Sequence, residues 1–145
     1  NVTMLERSPI ISALLENALI RGKEVTDNAE CLSICERLAL KQQDAITYLN
    51  GNTAAMTHTD VVYLDPMFPH KKKSALVKKE MRAFQMLLGP DQDSELLLSA
   101  AIKFAVKRIV VKRPSNAPNL ENEQGISPTM TINSKKHRFD VYLLT

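Results

Sequence analysis

The chain has 145 residues, 44% of them hydrophobic, and a formal net charge of +3. That length allows one core and one domain, and so small a net charge excludes a histone-like polycation. No apolar run approaches membrane-spanning length and no signal peptide precedes the first strand, so the chain reads as cytosolic.

Val2-Thr3-Met4-Leu5 is a short apolar strand. Ser8-Pro9 then starts a helix, with serine as the cap and proline at the first helical position. Ile10, Ile11, Leu14, Leu15, Ala18 and Leu19 recur at helical spacing, and Gly22 is read as the stop. A second helix is expected over Asn28 to Arg37, a strand over Leu38 to Lys41, and a turn at Gln43-Asp44-Ala45 into a brief helix. Asp60 to Asp65 is the next strand. Ser74 to Leu88 reads as a helix ended by Gly89-Pro90, and Ser94 to Val106 as another, capped by Asp93 or Ser94. Arg108 to Lys112 is a strand stopped by Arg113-Pro114. Residues 114–128, rich in proline and asparagine, form a loop. Met130 to Asn133 and Phe139 to Leu144 form a closing antiparallel pair, turned around Ser134 to His137.

Strands joined by helical crossovers and followed by a hairpin make an α/β fold. A nucleotide-binding domain of this class opens with a strand and a Gly-rich turn. The four glycines, Gly22, Gly51, Gly89 and Gly125, form no such turn, so the sequence reads as starting at the second strand of a larger domain.

Two cysteines, Cys31 and Cys35, lie one helical turn apart. No histidine or further cysteine accompanies them at zinc spacing, so a reduced pair on a partly buried helix is the plainer reading and no metal is expected. Basic residues cluster at Lys71 to Lys73, Lys78-Lys79, Lys107-Arg108, Lys112-Arg113 and Lys135 to Arg138. Clusters of this kind suit phosphate binding better than scattered charge, although Lys78-Lys79 also fits a solvated helix face.

The most informative stretch is Asp65-Pro66-Met67-Phe68, which follows the apolar strand Val61 to Leu64 and opens into His70-Lys71-Lys72-Lys73. Open α/β sheets keep their ligands at the carboxyl ends of strands. An acid there, followed by an aromatic ring and a cation cluster, suits a flat base on a phosphate backbone. The bland alternative is an Asp-Pro turn with Phe68 in the core.

With these segments placed, the chain resembles the class I S-adenosylmethionine-dependent methyltransferases. More narrowly it is similar to the RsmJ type of bacterial small-subunit ribosomal RNA guanine-N2 methyltransferases. The likeness rests on Met4 to Pro9, Val61 to Glu80, Lys107 to Pro114 and His137 to Asp140, in order along the whole chain. It implies a Rossmann-like methyltransferase sheet with helices on both faces and a C-terminal antiparallel hairpin. It also implies a first strand and cofactor loop that are not in this sequence; that strand would lie between those ending at Glu6 and Asp65, leaving two edges to be paired.

The resemblance implies S-adenosylmethionine as cofactor and ribosomal RNA or the small ribosomal subunit as partner. Glu6 would accept hydrogen bonds from the ribose hydroxyls, with Arg7 on the adenine side; capping the next helix, or pairing with Arg7, is the other use of Glu6. Asp44 and Ala45 would border the adenine, unless Asp44 caps a helix. Asp65 and the Pro66 carbonyl would hold the N–H groups of the target amine and aim its lone pair at the methyl group, with Phe68 stacking on the base. His70, Lys71, Lys72 and Lys73, aided by Lys112 and Arg113, would hold the RNA backbone. Met67 stands where related enzymes often carry a second proline, so an adenine-N6 amine stays open as the target. A non-catalytic RNA-binding fragment is the alternative outside enzymology.

Overall fold

The computed structural model describes residues 1–24, 27–51, 59–66, 93–105 and 107–144. These fall into two compact units, Asn1–Tyr48 and Leu49–Thr145.

In the first unit, β1 (Val2–Glu6) pairs in parallel with β2 (Leu38–Gln42), in register from Val2↔Leu38 to Glu6↔Gln42. Parallel strands need a long crossover, and two helices supply it: α1 (Pro9–Glu24) and α2 (Ala29–Glu36). The start of α1 is built locally. The Ser8 carbonyl accepts the Ser12 N–H at 2.9 Å, the Ser8 hydroxyl accepts from Ile11 N at 3.4 Å, and Pro9 takes the first helical position. Asn28 caps α2, its Oδ1 accepting from Glu30 N at 2.9 Å and Cys31 N at 3.1 Å.

Gly22 does not stop α1, which runs on to Glu24. A Cβ built on Gly22 would stand 2.5 Å from the Cys35 Sγ. Glycine is therefore there because α1 and α2 approach closely at this point, not because the helix ends.

In the second unit the strand order is β3-β4-β6-β5, with β3 (Val61–Leu64), β4 (Arg108–Pro114), β5 (Met130–Asn133) and β6 (His137–Leu143). β3 and β4 run parallel, and β6 is antiparallel to both β4 and β5. α3 (Ala45–Gly51) carries the chain across the boundary between the units, and α4 (Ser94–Phe104) precedes β4. The alternation along β4 is strict: Ile109, Val111 and Arg113 are buried, while Arg108, Val110 and Lys112 take the other face. Ile109 and Val111, with Leu64, Tyr142 and the α4 side chains Leu98, Ala101 and Phe104, form the buried core. Each large apolar side chain so buried contributes about 1.5–3 kcal/mol. Val61, Tyr63, Met130, Ile132 and Leu143 are exposed.

The loop after β4 is tied to the sheet rather than hanging from it. The Arg113 guanidinium donates to the Pro118 carbonyl, and Arg138 donates to the Ala117 carbonyl at 2.6 Å and to Asn119 Oδ1 at 2.8 Å. Ser99 Oγ on α4 accepts from Glu123 N at 3.0 Å, and Lys103 pairs with Glu123 at 2.8 Å. Gly125 adopts φ +64°, the left-handed turn conformation that glycine takes without steric cost. The β5–β6 turn closes through Ser134, whose N–H donates to the His137 carbonyl at 2.8 Å.

Candidate functional site

The carboxyl edge of the β1–β2 pair carries two acids. Register sets Glu6 beside Gln42, and the Gln43 N–H donates to the Glu6 carbonyl at 3.0 Å, so Asp44 follows at the same edge. Glu6 Oε1 accepts the Ser8 N–H at 2.7 Å, which orients the carboxylate at the head of α1. Asp44 Oδ1 accepts both Thr47 N at 2.8 Å and Thr47 Oγ1 at 2.9 Å, so it caps α3. Asp44 thus takes the capping role the sequence posed as an alternative, whereas Glu6 braces the N–H of Ser8, the residue that itself caps α1. Each nevertheless keeps a second oxygen, Glu6 Oε2 and Asp44 Oδ2, that takes no hydrogen bond from a described residue. Arg7 is exposed beside Glu6, and Ala45 is the half-buried first residue of α3.

Two fixed carboxylates, each with an acceptor to spare, suit a ligand rich in hydroxyl and amine donors. The adenosine part of S-adenosylmethionine, with a ribose diol and an exocyclic amine, has that donor set.

In the second unit Asp65 and the buried Pro66 follow the carboxyl end of β3 directly. The β3–β4 register ends at Leu64↔Val111, and one step further sets Asp65 opposite Lys112. Lys112 Nζ lies 2.9 Å from Asp65 Oδ2, with the two side chains 32% and 49% exposed. The bond to Asp65 pushes the Lys112 ammonium above its ordinary range. Tyr63, two residues before Asp65 on the same face of the strand, has its hydroxyl pushed up by partial burial and then by the Asp65 charge. Sequence reasoning passed over Tyr63, although the alternation of β3 already places it beside Asp65.

Arg113 is corrected. Expected among the RNA-binding cations, it points into the core, is 4% exposed, and donates to the Pro118 carbonyl. Burial first, and then the neighbouring Arg138, lowers its pKa. A guanidinium so enclosed anchors the loop and is withdrawn from solvent phosphates. Lys112, expected in the same role, is engaged by Asp65. Met67, Phe68, His70, Lys71, Lys72 and Lys73 lie outside the described residues, as do Lys78-Lys79 and the helix expected over Ser74 to Leu88.

A second cluster is an ion pair that the sequence did not reveal. Arg138 grips Asp140 with Nε to Oδ1 at 2.9 Å and Nη2 to Oδ2 at 3.1 Å, and Thr131 Oγ1 adds a bond to Oδ1 at 3.2 Å. Asp140 is 1% exposed. The pair joins β6 to the loop after β4; in the sequence Arg138 stood only among the basic cluster Lys135 to Arg138 and in the stretch His137 to Asp140 that carries the family likeness.

Among the described residues no group of three or more His, Cys, Asp or Glu side chains is placed to hold a metal ion. Cys31 and Cys35 are free thiols. No described helix is long and apolar enough to cross a membrane.

Acidic residues at the carboxyl ends of parallel strands, in an α/β framework, stand where proteins of this fold class hold their ligands. Residues 1–144 match the family described as "Putative SAM-dependent methyltransferase", and the chain belongs to that family, whose cofactor is S-adenosylmethionine. It is 51% identical over 143 residues to the ribosomal RNA small subunit methyltransferase J of Hydrogenovibrio crunogenus, covering 99% of this chain and 50% of that protein. It is 49% identical to the protein of the same name from Aeromonas salmonicida, covering 99% of this chain and 54% of that one. A solved SAM-dependent methyltransferase from Neisseria gonorrhoeae aligns with a TM-score of 0.68 and 32% identity, over 98% of this chain and 52% of that one. The chain thus spans about half the length of the curated relatives it matches. The Rossmann-like α/β architecture expected from the sequence is the one observed.

Proposed function

We propose that this chain carries the acceptor-binding and part of the cofactor-binding machinery of a ribosomal RNA methyltransferase acting on the N2 amine of a guanine in the small-subunit RNA. The observation that carries this reading is the placement of Asp65-Pro66 at the carboxyl end of β3. The names of the relatives at about half identity support the RNA substrate.

Exocyclic amines of bases are poor nucleophiles because the nitrogen lone pair is delocalised into the ring. Asp65 accepts one N–H of the amine and the Pro66 carbonyl accepts the other, which turns the lone pair toward the incoming methyl carbon. S-adenosylmethionine, when bound, supplies that carbon on a sulfonium. There it would serve as the methyl donor, its sulfur keeping the C–S electron pair as the amine nitrogen takes the methyl carbon, and the methylated amine would shed one N–H proton to solvent on release. Alignment and exclusion of water supply the acceleration, and no covalent intermediate is needed.

Glu6 would hold the ribose hydroxyls and Asp44 the adenine amine, with Arg7 and Ala45 beside them. Phe68 stacks on the target base, and His70 with Lys71 to Lys73 holds the backbone. A target base inside a duplex is flipped out to reach Asp65.

The test is transfer of labelled methyl groups to small-subunit RNA from cells lacking the gene, followed by nucleoside analysis. N2-methylguanosine is the expected product. N6-methyladenosine would overturn the choice of base. No product, together with no heat on titration with S-adenosylhomocysteine, would leave an RNA-binding module without catalysis.

A further inference from the structure

The structure assigns Lys112 a role other than phosphate binding: we propose that it is a positioning residue, which clamps one oxygen of Asp65 so that the other faces the target amine. The proposal rests on the function proposed above and adds a residue to it.

Three observations converge. Parallel register places Lys112 across from Asp65, one step past Leu64↔Val111, so the contact is built by the sheet and not by a chance surface encounter. Lys112 Nζ reaches Asp65 Oδ2 at 2.9 Å, and Oδ1 takes no hydrogen bond from a described residue. The Lys112 side chain is 32% exposed, less than any other lysine found in an ion pair among the described residues: Lys103 stands at 59% and Lys107 at 65%.

A carboxylate on a short side chain, standing past the last paired residue of its strand, rotates about two bonds and can present either oxygen in several directions. An ammonium held from the neighbouring strand removes that freedom. The amine is then met by a single acceptor in a fixed place, which is the condition under which alignment accelerates a reaction. The raised ammonium pKa keeps the clamp charged across the ordinary pH range. A lysine committed in this way contributes little to phosphate affinity. Its loss should act on turnover and leave RNA binding alone.

The experiment uses the complete natural polypeptide that carries these residues and compares wild type with Lys112→Met and Lys112→Arg. The expected result for Lys112→Met is a fall in kcat of about 10- to 100-fold, the scale of a misplaced reacting group. KM for RNA and the salt dependence of RNA binding should stay unchanged. Lys112→Arg, which restores a cation, should recover most of the loss, and added propylammonium should partly rescue Lys112→Ala. A merely structural lysine would instead lower folding stability in Lys112→Met and show no rescue of kcat by the soluble amine.

Unchanged kcat in Lys112→Met overturns the proposal. So does a raised KM with a salt slope shallower by about one, which marks a phosphate anchor. An NMR arm reads the pairing without catalysis: the Lys112 ammonium resonance should move in Asp65→Asn, and an unmoved resonance overturns the clamp. A wild-type protein that transfers no methyl group overturns the functional reading itself, and the clamp's role with it, even where the NMR arm finds the pair formed.

Discussion

The Gln43 backbone N–H donates to the Glu6 carbonyl at 3.0 Å, and this bond carries the β1–β2 register one residue past Glu6↔Gln42. Register and bond together set Glu6 and Asp44, acids 38 positions apart, along one edge. Glu6 braces the Ser8 N–H with one oxygen and Asp44 caps α3 with one, and the second oxygen of each takes no hydrogen bond from a described residue. Glu6→Ala should therefore weaken S-adenosylhomocysteine binding by about 10- to 100-fold, from the loss of hydrogen bonds to a charged group at about 1.5–3 kcal/mol. Isothermal calorimetry on the complete polypeptide reads this. Glu6→Gln, which keeps an acceptor for the Ser8 N–H, should retain the helix start and lose part of the affinity.

Gly22 and Cys35 make a tight α1–α2 crossing. Gly22→Ala should destabilise the protein by about 1–3 kcal/mol, the usual cost of forcing atoms into a packed site, because its Cβ would meet Sγ at 2.5 Å. The double variant with Cys35→Ala removes that sulfur and should recover much of the loss. Denaturant titration of the four proteins gives the coupling directly. Additive effects would contradict the proposed contact.

Breaking the Arg138–Asp140 pair should be costly. Arg138→Ala leaves a carboxylate that is 1% exposed without its cation, and unpaired buried charges cost about 3–5 kcal/mol. It also frees the Ala117 and Asn119 anchors of the loop. A large loss of stability in chemical denaturation is expected. Limited proteolysis should then cut first within residues 115–128.

Burial, and then the neighbouring Cys31, raises the Cys35 thiol above its ordinary value of 9.0. At pH 8.5, iodoacetamide should label the half-buried Cys31 before Cys35, as followed by mass spectrometry. The raised value also carries a sign for stability. Folding favours the protonated thiol, so this contribution is whole below the ordinary thiol range and is lost as pH rises through the folded value. Cys35→Ala should flatten that alkaline decline.

Features set by neighbouring residues were legible in the sequence. Ser8-Pro9 announces a helix start because a cap acts within three or four residues, the helix expected from Asn28 begins one residue later with Asn28 as its cap, and the strand at Val61 to Leu64 ends in Asp65-Pro66 as expected. What depended on tertiary contact was misread or missed. Gly22 passed for a stop because its real reason, the Cys35 sulfur, lies on another helix. Arg113 passed for surface because a cation usually is, yet β4 continues through Pro114 and its alternation turns Arg113 inward. Lys112 was placed with the phosphate contacts. Its bond to Asp65 spans 47 residues, and only the β3–β4 register reveals it.

The most direct measurement of the central claim is the methyl-transfer rate of Asp65→Ala in the complete polypeptide, with RNA affinity measured alongside. Transfer should fall at least ~100-fold, the scale expected when a reacting group loses its alignment, with RNA binding little changed. Near-normal turnover in that variant would contradict the assignment of Asp65 as the residue that holds the amine.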